Sequence, residues 1–422
     1  MKIKKPKDEE EAKLILESMC RINAAADGEM ESVSLADVHD TYKKWFHIQD
    51  TNRLDIVLAV ILSQKEKGVP LWLIIVAPSG DMKSEQLRAF DDDGKTVKIV
   101  PRMTDKTLVN GHQDKQEYPD FAPKLNNKVM MILDMAEILQ LRSEVKTEVW
   151  AQLRTLYDGE AGAASGMGMD VYYKGLYITF LAGSTPVIDD QILIHQSLGS
   201  RELIYRPKEI VDVGKLMERA WENECFEEMM RQEIKVVCQE FIKTAMLKEI
   251  IITEAMKKKI MKLTVYLTKM RAAASIDSYS GDLRSSVTPE RPTRLLKQLK
   301  RLYCCLKCLD VNYTDEKALE IVEEVVMSSV IKNRQNVLDL LIKEKKKLST
   351  SEIADKLKIG KKTAKQELNI LWNMEIIFRE PIEFTTNWGE TKIIQENWWI
   401  NDSNETIKFL LKVGVDEESK DE

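Results

Sequence analysis

"LWLIIVAPSGDMKSEQL", Leu71–Leu87, is the stretch on which the reading of this chain turns. An unbroken apolar run closes in a Pro/Ser/Gly turn, and Lys-Ser follows. Such a run suits a strand buried on both faces, as in a parallel sheet. A turn and then Lys-Ser opening a short helix, expected over 84–90, is the layout of a phosphate-holding loop. Backbone N–H groups face the anion, the lysine adds charge and the hydroxyl serves Mg²⁺. The usual spacing is G-x-x-x-x-G-K-[ST]. Here Ala77 stands at the first glycine position and Met82 at the second. The candidate nucleotide-binding residues are therefore Ala77, Pro78, Ser79, Gly80, Asp81, Met82, Lys83 and Ser84. A chance strand–turn–helix carrying Lys-Ser is the alternative.

Outward from this stretch, apolar runs at 96–100, 128–134 and 201–207 predict further strands. Residues 171–185 predict a hairpin feeding another buried strand. Helical patterns lie at 8–22, at 54–68 (amphipathic, ending at Gly68) and at 144–160. Strands alternating with helices imply an α/β fold with a parallel sheet and crossovers. Residues 209–270 and 291–345 read as almost purely helical, with few Gly or Pro. From about 335 the pattern becomes helix, turn, helix, then a β-hairpin turned at "NWGE" (387–390). The expected organisation is an N-terminal helical segment (1–35), an α/β core (36–208), a helical region (209–330), a winged helix-turn-helix (331–412) and an acidic tail (413–422).

The chain has 422 residues, enough for two or three domains. A formal net charge of −6 argues against nucleic-acid binding by the whole surface and leaves room for a local basic patch. "MKIKKPK" at the start lacks a following apolar region and reads as a frayed end rather than a secretion signal. No apolar run approaches the roughly 20 residues of a membrane helix, so no membrane partner is expected. Six cysteines, Cys20, Cys225, Cys238, Cys304, Cys305 and Cys308, point to a reducing cytoplasm, and the Cys305-x-x-Cys308 pair, in a stretch that reads as helix, suits buried structural thiols, with metal ligands the alternative. The Cys305–Cys308 pair has no second pair at zinc-ligand spacing.

Asp134 closes the apolar run "VMMILD". An acidic residue there, after a phosphate loop, suits the carboxylate on the magnesium side; it equally suits a helix N-cap. A water-orienting glutamate would follow directly, but the next residue is Met135. Glu137 is the nearest substitute, and it also fits a solvent-facing helix position.

The order of these pieces resembles the AAA+ module of minichromosome-maintenance (MCM) replicative helicases and the related P-loop ATPases of phages and mobile elements. The resemblance covers roughly residues 40–310, with a winged helix following. "APSGDMKSEQ" is similar to that family's G-D-P-[SG]-x-A-K-S-Q, which also lacks glycine before the lysine. "LDMAEILQLRSEVKTEVWAQL" is similar to its acidic strand end and following helix. "GMGMDVYYKGLYITFLAGSTP" looks like its hairpin and sensor 1 strand, with Thr185 or Ser184 in place of the asparagine. "LGSRELIYRP" is similar to L-x-S-R-F-D-L-I, which makes Arg201 the arginine that reaches a neighbouring subunit's site. "RPTRLLKQLKRLYCCL" resembles the sensor 2 helix, with Arg294 the matching arginine and Arg291 its rival. The resemblance implies ATP and Mg²⁺, with Ser84 and Asp134 on the metal side. It also implies a homo-oligomeric ring, a hexamer, with sites between subunits, acting with replication proteins.

Two segments are candidate DNA contacts. In the helix-turn-helix, Ile353, Ala354, Leu357, Ile359, Ala364, Leu368 and Leu371 form the inward set, and Gly360 is expected to supply the tight turn. Lys361, Lys362, Thr363, Lys365 and Gln366 face out. Lysines without base-reading partners suggest phosphate contact rather than sequence reading. In "GAASGMGMDVYYKG" (162–175), Lys174 suits a phosphate and Tyr172 or Tyr173 a stacked base; tyrosines packed in the sheet are the alternative. The expected function is ATP-dependent DNA translocation or remodelling, in the replication of a mobile element or virus. The alternative is a non-hydrolysing ATP-binding regulator or loader.

Overall fold

The computed structural model describes residues 8–48, 50–110, 117, 119–164, 170–189, 201–208, 212–274, 277, 283–385 and 391–408. The chain divides into two compact units. One comprises Met1–Ile188, Arg201–Met256 and Lys297–Val325; the other comprises Asp189–Ser200, Lys257–Leu296 and Val326–Glu422. The helical region expected over 209–330 is thus shared between them. No described helix is long and apolar enough to cross a membrane. The basic start, the "NWGE" turn and the acidic tail lie outside the described residues.

In the first unit, α1 (Glu9–Asp27), α2 (Leu35–Trp45) and α3 (Asn52–Leu62) precede β1 (Trp72–Val76). Asp8 caps α1, and Ser34 with Asp37 forms a capping box on α2. The helix expected over 54–68 is shorter and is not amphipathic, since every residue of α3 is buried. It ends because Arg301 takes the Ser63 and Glu66 carbonyls, and Gly68 instead makes room for that guanidinium. After α4 (Lys83–Arg88) come β2 (Val97–Ile99), β3 (Lys128–Ile132), α5 (Ala136–Leu139) and α6 (Ser143–Tyr157). A two-stranded antiparallel pair, β4 (Ala161–Ala164) and β5 (Asp170–Tyr173), leads to β6 (Ile178–Ser184) and β7 (Leu203–Tyr205).

The five-stranded sheet has the order β2-β3-β6-β1-β7, and every pairing is parallel. β1 and β6 are buried along their whole length, as their unbroken apolar runs require.

Helices α7 (Val213–Asn223), α8 (Glu227–Thr244) and α9 (Glu254–Met270) follow. Buried Glu233 of α8 accepts from the Lys44 ammonium and the Trp45 indole, fastening α8 to α2. The continuous helix expected over 209–270 breaks at 245–253 without Gly or Pro. Lys65 takes the last carbonyls of α8, and Ile250-Ile251-Ile252 are β-branched residues stiff against helix. The Thr253 hydroxyl, accepting from the Met256 N–H, restarts the helix as α9.

α10 (Thr293–Lys307), α11 (Asp315–Ser328) and α12 (Lys332–Glu344) come next, then β8 (Leu348–Ser349), α13 (Thr350–Leu357), α14 (Lys361–Asn373), β9 (Ile377–Thr385) and β10 (Thr391–Ile400). In the second unit the last three strands form an antiparallel sheet in the order β8-β10-β9. Arg334 and Glu367, both buried, pair at 2.7 Å. Arg334 also donates to the Met270 and Ala272 carbonyls, tying the end of α9 to α12 and α14. The inward set packs as expected, with Leu357 and Ile359 half-buried. Gly360, however, has φ −63°, open to any residue; the left-handed turn residue is Lys358, φ 53°.

Candidate nucleotide-binding site

Chain crossovers leave β1 and β6 in opposite directions, so the crevice at their carboxyl ends is a topological switch point, the usual place for a ligand in such a sheet. Val76 is level with Ser184, and the Ala77 N–H donates to the Ser184 carbonyl at 3.1 Å. Thr185 therefore stands beside the start of the loop. On the other side of β6, the Met135 N–H donates to the Gly183 carbonyl at 2.8 Å. A Cβ on Gly183 would lie 2.5 Å from the Leu133 carbonyl, so only glycine lets the end of β3 pass so close. The Ser84 hydroxyl donates to that same carbonyl at 3.3 Å. Lys83, Ser84, Asp134 and Thr185 are thus gathered at one edge of the sheet from three strand ends.

The loop is shaped by left-handed residues. Gly80 has φ 84° and Met82 has φ 53°, directly before α4. Glycine adopts this conformation freely; in methionine it costs roughly 1–2 kcal/mol. That is a backbone reason for glycine at this position in the usual spacing. Asp81 is pinned from α3 by Arg53, in an ion pair that is largely buried. Beside it, a narrow cleft of about 40 Å³ is lined by His47, Asp50, Met82, Pro207 and Lys208 among others.

Lys83 is only 5% exposed. Its ammonium donates to the Pro78 carbonyl at 3.0 Å, and among the described residues no carboxylate pairs with it. A buried cation holding one neutral acceptor keeps two donors for an anion.

Asp134 is exposed and accepts from the Ala136 N–H at 2.9 Å; it stands one residue before the N-cap of α5, which is Met135. Met135 is wholly buried. The Glu137 side chain is 64% exposed and lies 3.9 Å from Arg102. Glu137 and Asp134 both line a wider cleft of about 890 Å³ beside α4. Ser84 and Asp134 supply hard oxygen donors. Among the described residues no group of three or more His, Cys, Asp or Glu stands together. A cation here would rest on these two side chains, phosphate oxygens and water, a set that fits Mg²⁺.

Arg201 lies at the other edge of the sheet. The register Leu73–Leu203 puts it level with Leu71, about 20 Å along the strands from Ala77. Its guanidinium bonds Asp158 at 3.0 Å and lies 5.9 Å from the Tyr157 ring centroid. Arg294 belongs to the second unit and bonds Glu290.

Lys174 follows β5, its ammonium 4.8 Å over the Tyr172 ring, which is half-exposed. Tyr173 instead donates to Asp120 at 2.8 Å; burial and that carboxylate raise its pKa. The hairpin tip at 165–169 lies outside the described residues.

In the second unit Lys361, Lys362 and Lys365 line a groove of about 840 Å³ between α14 and the hairpin, with Trp372, Arg379 and Gln395. Arg379 lies 4.9 Å from the Trp372 ring and 5.7 Å from Trp398, and bonds Glu396. The sequence reading missed both Arg379 and Trp372; the aromatic and basic residues flanking the turn were the available signal.

The cysteines divide. Burial pushes the Cys238 and Cys305 thiols up to about 12; Cys304 and Cys308 are half-buried, and Cys20 and Cys225 are exposed. Compared with known proteins, the chain matches no family model, and no curated protein matches it.

Proposed function

We propose that the chain is an ATPase of the AAA+ type, similar to the MCM group, which binds ATP at the β1–α4 loop and acts on DNA through a C-terminal winged helix. The observation that carries this is Lys83, a buried cation with no carboxylate partner among the described residues, held beside Ser84 and the end of β3 at the switch point. In this reading Lys83 neutralises phosphate charge, and the loop N–H groups orient it. Ser84 and Asp134 hold the magnesium, which when bound offsets phosphate charge. Thr185 donates a hydrogen bond to the terminal phosphate or its water. Arg201 is too far along the sheet to serve its own loop, so it serves a neighbour's, where its fork stabilises transition-state charge. Arg294 is the candidate second sensor. Lys361, Lys362, Lys365 and Lys174 contact nucleic-acid phosphates.

The test is ATP binding and hydrolysis by the purified chain, with and without single-stranded and duplex DNA, beside Lys83→Ala and Arg201→Ala. DNA-stimulated turnover lost in both variants supports the motor reading. Absence of nucleotide binding in the parent chain overturns it.

A second reading is favoured by Met135. The residue after Asp134 is apolar and wholly buried, so no carboxylate orients a water at that position. A regulator or loader that uses ATP to assemble, with little or no hydrolysis, would need none. Tight ATP binding without turnover would select it.

A further inference from the structure

One side chain outside the β1–α4 loop grips it from α3. Arg53 is the second residue of that helix and only 9% exposed, at the end where the helix dipole disfavours a cation. A guanidinium buried there needs an anion, and Asp81 supplies it. The grip is double, because the same nitrogen, Nη1, donates to the Asp81 carboxylate and reaches the Asp81 carbonyl at 3.4 Å. Asp81 stands between the two left-handed residues, Gly80 and Met82. Its N–H reaches the Pro78 carbonyl at 3.4 Å, and that oxygen also accepts from the Lys83 ammonium at 3.0 Å. Displacing Asp81 therefore disturbs the acceptor that aims Lys83.

Arg53 is itself fixed by its neighbours in the chain. The Asn52 amide donates to Glu324 at 2.9 Å, and Lys208 pairs with Glu324 at 3.1 Å. Buried Asp55 meets His39 and the Tyr313 hydroxyl, each at 2.6 Å. The first turn of α3 is thus anchored to α2, to α11 and to the segment before α11, and it presents Arg53 from a rigid base.

We propose that Arg53 is a positioning residue of the phosphate loop: it holds Asp81 so that the strained turn at Met82 persists, and it cancels a carboxylate that would otherwise repel bound phosphate. A left-handed methionine persists only where its surroundings over-determine it, and the Arg53–Asp81 pair is fastened to the residue directly before it. A carboxylate in a loop that is to hold an anion opposes binding unless a cation pairs with it. The neutralising role rests on the nucleotide-site reading; the holding of the loop does not.

The experiment uses the full chain with Arg53→Met, Asp81→Asn and both together. Hydrogen exchange is followed over residues 79–86 without ligand, and ATP binding is measured by titration. Each single variant is expected to speed exchange over 79–86 at least about tenfold, with β1 and β6 unchanged, because a broken buried pair leaves the loop free to open locally. The double variant should exchange no faster than the faster single one, since the two groups act as a unit. Arg53→Met should weaken ATP binding at least about tenfold, because the Asp81 charge is left unpaired beside the phosphates. Adding Asp81→Asn should recover part of that loss, which a guanidinium that only stabilises the fold would not allow. Loop exchange unchanged in both single variants overturns the proposal, as does a double variant that binds ATP no better than Arg53→Met. If Arg53→Met does not fold, Asp81→Asn decides through the same exchange measurement. Raised loop exchange in the variants of a parent chain that binds no ATP upholds the holding role and fells the nucleotide reading alone.

Discussion

The loops that follow β1 and β3 leave the same edge of the same sheet, and both enter short helices, yet they are built differently. After β1, two left-handed residues turn the chain, and Lys83 is sunk into the fold with, among the described residues, a single carbonyl for a partner. After β3, the carboxylates of Asp134 and Glu137 stand in solvent, while Met135 fills the core. Burying a lysine without a carboxylate is costly unless an anion is to be bound. Leaving a carboxylate exposed costs little: Asp134 holds the Ala136 N–H at 2.9 Å, and Glu137 meets Arg102 at 3.9 Å. On the proposed reading, the difference teaches that the phosphate-holding half of the site is constructed and the water-orienting half is not, so that ATP binding and ATP turnover would be separable.

The sharpest way to break that comparison is Lys83→Ala. Charge-assisted hydrogen bonds contribute about 1.5–3 kcal/mol, so ATP affinity should fall roughly 10- to 100-fold by calorimetric titration. Unchanged affinity would mean that the β1 loop is no better built for phosphate than the β3 loop. The next effect is on stability. Gly183→Ala places a methyl 2.5 Å from the Leu133 carbonyl, and backbone must move. A loss of about 1–3 kcal/mol is expected in denaturant melts. Gly175, left-handed with open space around it, should lose only about 1 kcal/mol on the same change.

The strands of the sheet were legible because parallel strands buried on both faces are unbroken apolar runs, as "LWLIIVA" and "VMMILD" are. The loop was legible because Lys-Ser follows one of those runs. What sequence missed is decided by distant partners. Arg301 ends α3 early and Lys65 ends α8, and neither acts through local propensity. Gly68 reads as a helix end and Gly360 as a tight turn, yet one makes room for a guanidinium and the other has an ordinary φ. That Arg201 sits at the far edge from its matching loop emerged only from strand register.

Met82→Gly sharpens the comparison within the β1 loop itself. Relief of the left-handed strain, less the added freedom of the unfolded chain, leaves a gain of about 0.5 kcal/mol. The melting midpoint should rise slightly and ATP affinity should hold or improve. A loss of affinity would mean that the thioether itself packs against the nucleotide.

The smallest expected effect is that of Glu137→Gln. The Glu137 carboxylate is exposed and, among the described residues, pairs with Arg102 alone, itself mostly in solvent, at 3.9 Å. Such a pair contributes at most about 1 kcal/mol, so stability should barely change. If the β3 loop truly lacks a water-orienting carboxylate, steady-state ATP turnover should also change less than about twofold, because a general base contributes roughly 100-fold or more where one acts. Asp134→Asn supplies the contrast, because it should raise the magnesium concentration needed for half-maximal ATP binding. A fall of tenfold or more in Glu137→Gln turnover, with ATP affinity intact, would mean that this side chain swings to the reacting water. The loop after β3 would then be as purposeful as the loop after β1, and the regulator reading would lose the observation that favours it.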